Sequence, residues 1–405
     1  MKKLIIFCVL FIASSLFAQK KNAKSGQISD IVNLTSLVNP FIGTGGHGHT
    51  FPGPTMPFGA CQVSPDTRLE GWDGCSGYHH SDSVIYGFSH THLSGTGCSD
   101  YGDILLMPVT KEMKLDNYQY ASKFSHGREK AHAGYYEVFL DDPQVKVELT
   151  STLHGGYHRY KYPINAEQYV VLDLKHRDEL LDSRMVQIDD FTIKGYRFSK
   201  AWAKNQKVYF EIKFSKPIES IQYEENKKGN LSNALHLENS QQCIIKFQKD
   251  KTVIANPNIE VKVAISGVDE EGAHLNLAKE MPKDNWDFYW YRKSCEQEWQ
   301  KELSKIKISQ IQNSTSSQEK MVIFYTALYH CMIHPSIFND VDGRYRGRDD
   351  KIYNTQGKFN YYSVFSLWDT YRALHPLLTI IDKKRTNDFI NTFIKQYEQV
   401  GRLPV

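Results

Sequence analysis

The sequence lacks a strong excess of either charge. Its 405 residues include 49 lysine and arginine residues against 46 aspartate and glutamate residues, so the formal net charge is only +3 at pH 7. The basic residues are scattered, and no basic helix or long run of like charges stands out. Proteins that bind nucleic acid usually concentrate basic residues in one segment or on one face. We therefore predict no nucleic acid partner.

Long apolar stretches are also lacking, and no segment of the sequence is long enough to span a membrane. Residues 4–12 form a short apolar run, which follows two lysines and precedes the sequence LFA at 16–18. This pattern is typical of a signal peptide over residues 1–18 that is cleaved before Gln19; a buried N-terminal helix is the alternative. We therefore expect an exported protein, periplasmic or extracellular, in which the polar residues 19–36 form a flexible spacer.

Cysteine is sparse, and its spacing argues against one kind of site. The chain has seven cysteines, of which Cys8 lies in the predicted signal peptide, and no two form a CxxC pair. A zinc site built from cysteine thiolates is therefore not expected. The even number that remains permits disulfides in an exported protein. Buried free thiols are the alternative, and we favour them.

Glycine, histidine, proline and aromatic residues are instead concentrated between Val38 and Asp103, in an order that fits neither a helix nor a strand. Glycines allow positive backbone φ angles and a close approach to a ligand, and binding residues often lie on loops. An aromatic ring can cover the apolar face of a sugar, while carboxylates, imidazoles and backbone amides bond its hydroxyls. The stretch therefore predicts a binding site built on loops, and a sugar is the ligand class that suits it.

Downstream of this stretch the sequence predicts first strands and then helices. Apolar residues occupy every second position in two neighbouring segments, at Tyr136, Val138 and Leu140 and at Val145, Val147 and Leu149. Further β-rich runs continue to residue 265, and many short strands between turns are typical of a β-sandwich. From about Asn285 the apolar residues recur at spacings of three and four, which indicates helices, until Gly401 and Pro404 end the pattern.

The predicted fold class is therefore α+β with two domains. We expect an antiparallel β-sandwich over residues 37–284 and a helical linker over residues 285–312. Residues 313–405 are then expected to begin an all-helical domain.

Six segments match, in order, the motifs of a known enzyme family. They are NPFIGTGG at 39–46, PGPTMPFG at 52–59, SPDTR at 64–68, GWDGCSGYH at 71–79, GFSHTHLSGTG at 87–97 and SLWDTYRALHP at 366–376. With these motifs the chain resembles the glycoside hydrolase family 92 α-mannosidases from about Leu37 to its last residue. The resemblance implies a calcium-dependent, inverting exo-α-mannosidase that removes terminal mannose from glycans. Its cleft would lie between an N-terminal β-sandwich and a C-terminal barrel of paired α-helices.

The resemblance also implies that residues 313–405 are an incomplete α/α-barrel catalytic domain. Three or four amphipathic helices cannot close a ring of helix pairs, and they would leave an apolar flank. The general acid, the general base and the main ligands of Ca²⁺ are accordingly expected beyond Val405, so we assign no catalytic residue and no metal ligand within the chain. An α-1,2 linkage is the commonest expectation for the family, but Gly74 stands where many relatives carry a bulkier residue.

Two Trp-Asp pairs are the leading candidates for sugar binding. We expect Trp72 to pack against a sugar face and Asp73 to bond hydroxyls or a neighbouring loop. The alternative is a buried tryptophan beside a turn-capping aspartate. By resemblance, Asp369 is a carboxylate that bonds two hydroxyls of the terminal mannose, with Trp368 beside the ring. The alternative is that Asp369 is the N-cap of a helix.

Histidine pairs in the glycine-rich stretch offer an alternative metal interpretation. Calcium prefers oxygen ligands, so we expect these imidazoles to bond loop carbonyls or sugar hydroxyls instead. Among them, His90 and His92 are expected to face the cleft. Phe41, Gly43 and Thr44 are expected to line the same pocket.

Two other functions stay open. A non-catalytic carbohydrate-binding protein would keep the aromatic residues without an acid or a base, and a phosphorylase could share the architecture. The order of the motifs argues against the phosphorylase. The charged loop around Arg344 and Arg346 is interpreted as surface ion pairs, with contact to substrate as the alternative.

Overall fold

The structure is a computed structural model, and it describes residues 33–224, 231–232, 236–238, 241–249, 257–308 and 315–405. The predicted signal peptide and most of the predicted spacer lie outside these residues. None of the helices in the described ranges is both long enough and apolar enough to cross a membrane.

Two large antiparallel sheets dominate the first two thirds of the chain. We number the strands β1 to β21 in chain order. Within the described ranges, the smaller sheet has seven strands, in the spatial order β1 (Ser64–Asp66), β3 (Gly87–Ser89), β4 (Leu105–Val109), β9 (Tyr169–Asp173), β16 (Gln242–Phe247), β13 (Ile218–Glu224) and β14 (Leu231–Ser232). The larger sheet, counted over the same ranges, has ten strands, in the order β15 (His236–Glu238), β10 (Glu179–Asp189), β11 (Thr192–Lys200), β12 (Gln206–Phe214), β17 (Asn258–Ser266), β8 (Gly155–Lys161), β7 (Val145–Ser151), β6 (Tyr135–Leu140), β5 (Ser122–His132) and β2 (Val84–Ile85).

The predicted period-two pattern accounts for the packing of the two sheets. In β6 and β7 the alternating apolar residues are all buried, and Val138 lies opposite Val147 across the strand pair. One continuous apolar cluster takes side chains from both sheets, among them Leu106 and Ile245 from the smaller sheet and Val263 from the larger. Since each sheet buries one face against the other, the antiparallel β-sandwich is confirmed.

Helices follow the sandwich, as predicted. The α-helices in the described part of the chain are α1 (Asn117–Tyr120), α2 (Glu270–Glu280), α3 (Phe288–Leu303), α4 (Thr315–His330), α5 (Leu367–Thr370), α6 (Leu374–Ile381) and α7 (Lys383–Val400). Two short 3₁₀-helices cover Leu34–Leu37 and Trp72–Gly74. Helix α7 ends at Gly401, whose φ of 69° is the left-handed conformation that glycine adopts readily.

Two small antiparallel pairs lie between α4 and α5. Strand β18 (Ser336–Ile337) pairs with β21 (Tyr362–Ser363), and β19 (Arg344–Arg346) pairs with β20 (Ile352–Asn354). The charged loop singled out in the sequence is thus largely a hairpin.

Helix α2 falls inside the range predicted as sandwich. The side chain of Asp269 caps its first turn by accepting a hydrogen bond from the amide of Gly272 at 2.7 Å. The helix packs against β12 and β17, so it covers one face of the larger sheet. The boundary of the sandwich domain at residue 284 stays a prediction.

The spacing of apolar residues from Asn285 onward places Tyr289 and Trp290 on the apolar face of α3, and this prediction is wrong. Tyr289 and Trp290 are 66% and 52% exposed. The buried face consists instead of Phe288, Tyr291, Cys295, Trp299, Glu302 and Leu303. The two exposed rings lie on the opposite side of the helix from the sandwich.

A second apolar cluster joins the start of the described chain to the helices. Phe51 and Phe58 lie in this cluster with Trp299 of α3, Tyr325 of α4 and Phe389 of α7. The indole Nε1 of Trp299 donates a hydrogen bond to the backbone carbonyl of Thr55 at 2.6 Å. The N-terminal loops are therefore held by the helices as well as by the sandwich.

Candidate functional site

A cleft of about 1230 Å³ opens between the sandwich and the later part of the chain. Its walls come from the loop at 91–101, from the turn at 202–208 between β11 and β12, and from residues of the segment 330–375. Arg346, Arg348 and Asp350 of the charged hairpin also line it. Loops carried by rigid strands and helices are where binding residues usually occur.

A buried histidine fixes one end of this cleft. His154 Nδ1 lies 2.5 Å from Glu280 Oε1, and its Nε2 lies 2.9 Å from the carbonyl of Asn339. Burial alone would lower the pKa of His154, but the adjacent carboxylate of Glu280 raises it to about 9. The imidazole is therefore charged at neutral pH.

Asp340 lies beside this pair and also lines the cleft. It accepts hydrogen bonds from Ser266 Oγ at 2.6 Å and from Asn276 Nδ2 at 2.8 Å. Burial nevertheless raises its pKa above the usual value for an aspartate. This end of the cleft contains a carboxyl group held firmly between the larger sheet and α2.

The structure places Asp369 in the cleft lining and Trp368 outside it. Asp369 is exposed in the short helix α5, and its Oδ2 accepts a hydrogen bond from Ser366 Oγ at 2.7 Å. Ser366, rather than Asp369, occupies the N-cap position, so the alternative of a capping Asp369 is wrong. Trp368 is 77% exposed. The roles of both residues in sugar binding stay predictions.

Trp72 and Asp73 form a second group with two histidines, of which His47 is exposed and His49 is buried. Trp72 is 58% exposed, and the ring of His49 meets its indole edge to face with centroids 4.3 Å apart. His47 Nδ1 lies 2.6 Å from Asp73 Oδ1, and this hydrogen bond lowers the pKa of Asp73. The alternative of a tryptophan buried in the sandwich is therefore wrong. The substrate role of the pair stays a prediction.

The Trp72 group borders the loop at 91–101 that lines the cleft. A Cβ atom at Gly97 would lie 2.5 Å from Trp72 Nε1, so the indole lies directly against this loop. Cys75 Sγ donates to the carbonyl of Thr96 at 3.1 Å in the same region.

Phe41, Gly43 and Thr44 do not line the cleft. Gly43 has a φ of 91°, and Thr44 is buried with its hydroxyl donating to the carbonyl of Phe41 at 2.9 Å. The ring of Phe41 packs near His80, with centroids 6.0 Å apart. These residues shape the turn that carries His47 and His49 to Trp72.

His90 and His92 are buried in the sandwich, which corrects the expectation that they face the cleft. His90 Nδ1 bonds the carbonyl of Ile104 at 2.6 Å, and burial lowers its pKa to about 4. His92 Nδ1 bonds the carbonyl of Gln62 at 2.8 Å, and its Nε2 lies 3.2 Å from Asp66 Oδ1. Both imidazole rings are stable inside the sandwich because buried oxygen atoms provide them with hydrogen-bond partners.

The arginines of the charged hairpin bond mainly to protein oxygen atoms. Arg344 pairs with Asp269 at 2.6 Å and with Asp342 at 2.5 Å. Arg346 donates to the carbonyls of Gly267 and Val268. The interpretation of Arg344 as a surface ion pair is confirmed, whereas Arg346 fastens the hairpin to the sandwich at the wall of the cleft.

The six cysteines that follow the predicted signal peptide are all free thiols in the structure. Among the described residues, no group of three or more histidine, cysteine, aspartate or glutamate side chains is placed to hold a metal ion.

Trp202 is one of several cleft residues that the sequence did not predict. It lines the cleft from the turn between β11 and β12 and is 75% exposed. The sequence signal that could have identified it is a tryptophan in a polar turn between two segments with strand patterns.

Comparison with known proteins identifies the class to which this fold belongs. The model of the "Glycosyl hydrolase family 92 N-terminal domain" matches residues 37–266, and that of the "Glycosyl hydrolase family 92 catalytic domain" matches residues 272–405. A sandwich followed by helices, with a polar and aromatic cleft between them, is thus the framework of a glycosyl hydrolase. The chain belongs to glycosyl hydrolase family 92.

Several solved structures and one curated protein are similar to the chain. The family GH92 α-mannosidase BT3965 from Bacteroides thetaiotaomicron, solved with mannoimidazole, is 36% identical, with a TM-score of 0.83 over 92% of this chain. The family GH92 inverting mannosidase BT2199 from the same organism is 25% identical, with a TM-score of 0.80 over 92% of this chain. A protein of Arthroderma benhamiae, described as an uncharacterized secreted glycosidase, is 24% identical over 84% of this chain.

The chain spans about half the length of these relatives. It covers 50% of BT3965, 49% of BT2199 and 45% of the fungal glycosidase.

Proposed function

We propose that the complete protein is an exported exo-α-mannosidase that removes terminal α-linked mannose from glycans with inversion at the anomeric carbon. The observation that carries the proposal is the 36% identity, over 92% of this chain, to an α-mannosidase solved with mannoimidazole. The predicted signal peptide and the fungal relative described as secreted support export.

Two exposed groups in this chain suit a mannose ring. The indole of Trp72 offers an apolar surface, and the hydrogen bond from His47 orients Asp73 beside it. Asp369 offers a carboxylate in the cleft itself. A flat apolar surface together with charged acceptors matches a pyranose, which has apolar C–H faces and peripheral hydroxyls.

Inverting hydrolysis needs one carboxyl group to protonate the leaving oxygen and another to activate water, about 6.5–9.5 Å apart. We assign neither role to a residue of this chain. Dependence on Ca²⁺ likewise stays an expectation from the family resemblance. The chain's own residues bind and orient the sugar in this proposal.

The α-1,2 linkage is the first that we would test. At Gly74 the stem of Arg68 already fills the space that a side chain would take, since a Cβ there would lie 2.6 Å from Arg68 Cγ. Arg68 in turn pairs with Asp82 at 2.5 Å. A linkage preference that depends on a larger side chain at this position would therefore differ in this protein.

Activity of the complete protein on α-linked mannobioses tests the proposal. We expect release of mannose, first as the β-anomer by NMR spectroscopy because inversion of an α-linkage gives that product. Replacing Asp369 by Asn should lower kcat/KM about 100-fold, since charged hydrogen bonds are worth roughly 1.5–3 kcal/mol each. Asp190→Asn, at an exposed turn far along the sheet from the cleft, is the matched control and should retain activity.

Trp72→Ala should lower kcat/KM by about tenfold or more without unfolding the protein, because its indole is already largely exposed. Binding of mannosides without any hydrolysis would instead favour a non-catalytic carbohydrate-binding protein. Initial release of α-mannose would overturn the inverting mechanism.

A further inference from the structure

Trp202 presents a large aromatic ring to the cleft at a place where folding gains little from it. Its side chain is 75% exposed at the tip of the β11–β12 hairpin. Single exposed apolar residues are common on protein surfaces and by themselves mean little. The structure around Trp202, however, sets it apart from such residues.

The backbone at Trp202 is fixed by a buried carboxylate. Asp100 is 7% exposed and accepts hydrogen bonds from the amide of Trp202 at 3.2 Å and from the amide of Ala203 at 2.7 Å. The chain just after the turn is held through a side chain, because Gln206 Nε2, at the start of β12, donates to the buried Asp103 Oδ2 at 2.6 Å. An exposed ring on a turn anchored at both ends is pre-organised to meet a ligand.

The anchoring loop also contacts the Trp72 group. Trp72 lies against Gly97, and Trp202 is held by Asp100. These two attachment points are three residues apart, so they lie no more than about 11 Å from one another. Both exposed indoles therefore border one short loop at the edge of the same cleft.

Polar groups suited to sugar hydroxyls lie beside Trp202. Lys204 and Asn205 line the cleft from the same turn, and both are exposed. The ammonium group of Lys204 can donate hydrogen bonds to sugar hydroxyls, and the side-chain amide of Asn205 can both donate and accept them.

We infer that Trp202 is a second sugar-binding platform, which stacks on a sugar of the glycan farther from the terminal mannose. This inference rests on the proposed function and extends that function by naming the substrate class. The cleft then favours mannosyl oligosaccharides over a simple disaccharide. Trp72 and Asp369 bind the terminal mannose, and Trp202 with its neighbours binds the chain behind it.

The test compares short and long substrates. In the complete protein, kcat/KM is measured on α-linked mannobiose and mannopentaose of one linkage for the wild type and for Trp202→Ala, Trp202→Phe and Trp290→Ala. We expect the ratio of kcat/KM for the pentasaccharide to that for the disaccharide to fall about tenfold in Trp202→Ala. Trp202→Phe keeps a ring and should retain most of the ratio. Trp290→Ala, an exposed tryptophan outside the cleft lining, should leave it unchanged.

The ratio separates this inference from the proposed function. An unchanged ratio in Trp202→Ala, or an equal loss on both substrates, overturns the platform while the mannosidase stands. If the wild type hydrolyses neither sugar, the proposed function falls, and the Kd for mannopentaose measured by calorimetry decides about Trp202. A Kd about tenfold weaker in Trp202→Ala then supports the platform. An equal Kd, or no binding by the wild type, overturns it.

Discussion

Arg197 and Asp103 form a fully buried ion pair between the two sheets. Arg197 lies on β11 of the larger sheet, whereas Asp103 lies just before β4 of the smaller one, and neither side chain has exposed surface. Arg197 also donates to the carbonyl of Leu174 at 2.6 Å, and Asp103 accepts from Thr91 Oγ1 at 2.6 Å. The Asp103 carboxylate also accepts a hydrogen bond from the side chain of Gln206. The Arg197–Asp103 ion pair therefore supports the turn that carries Trp202.

Replacing Arg197 by Met should lower the free energy of unfolding by about 3–5 kcal/mol, because Asp103 would be left as an unpaired buried charge. The measurement is urea unfolding at pH 7, followed by circular dichroism. Arg128→Met is the control, since Arg128 is about half exposed in its pair with Asp141 and such pairs contribute at most about 1 kcal/mol. Equal losses of unfolding free energy in the two variants would show that the buried ion pair stabilises the fold no more than the exposed pair does.

At the scale of elements, His154 joins three parts of the fold. Its backbone amide and its imidazole both bond Glu280, the last residue of α2. The other ring nitrogen bonds Asn339, which follows β18. Because His154 itself lies in the turn between β7 and β8, one charged ring fastens a helix and a cleft-lining loop to the sandwich.

This arrangement predicts how stability depends on pH. The folded-state pKa of His154 is about 9, above the value of about 6.5 in an unfolded chain. Its contribution, on the order of 3 kcal/mol, is therefore fully present below pH 6.5 and is lost as the pH rises through 9. The difference in unfolding free energy between the wild type and His154→Gln should shrink from pH 6 to pH 10. A difference that stays constant would contradict the assigned charge.

Some elements could be predicted from the sequence, and the reasons for the exceptions are physical. Strands β6 and β7 follow from the strict alternation of apolar residues at Tyr136, Val138 and Leu140 and at Val145, Val147 and Leu149, all of which are buried. Helix α2 was missed because its buried face consists largely of Gly272, Ala273 and Asn276, which carry little apolar signal. A helix that covers a sheet with small residues looks like a polar segment.

The candidate site was predictable only in part. Motif matches singled out Asp369, which does line the cleft, and Trp72, which is exposed beside it. They also singled out His90, which the fold buries against His158 and Ile104. Which histidine faces outward depends on the pairing of distant strands, and local sequence does not contain that information.

At the scale of the whole molecule, the apolar cluster around Trp299 crosses the border between the two family segments. Trp299 packs on the ring of Tyr329 with centroids 4.4 Å apart, while its indole nitrogen bonds Thr55. The amide of Phe58 donates to the carbonyl of Met332 at 2.7 Å. The helices and the N-terminal loops are thus one packing unit, alongside the core between the two sheets.

Trp299→Ala should loosen this unit selectively. Truncating a fully buried tryptophan costs about 3–5 kcal/mol, and we expect the loss in the hydrogen-exchange protection of the Phe58 amide and of α3. Amides in the central strands β9 and β16 should lose less, since they lie in the separate core of the sandwich. Trp290→Ala, on the exposed side of the same helix, should change neither. Uniform loss at all sites would mean that the two cores open together.

The bond between Thr55 and Trp299 also sets an order of events in time. The two residues are 244 positions apart, so at a synthesis rate of about 5–20 residues per second the carbonyl waits roughly 12–50 seconds for its partner. Phe58 waits longer still for the ring of Phe389. During that interval the strands of the sandwich can pair and hold the first loops on one side, but the helices that pack against these loops have not yet been made. These loops, which emerge early, are therefore among the last parts of the protein to reach their final positions.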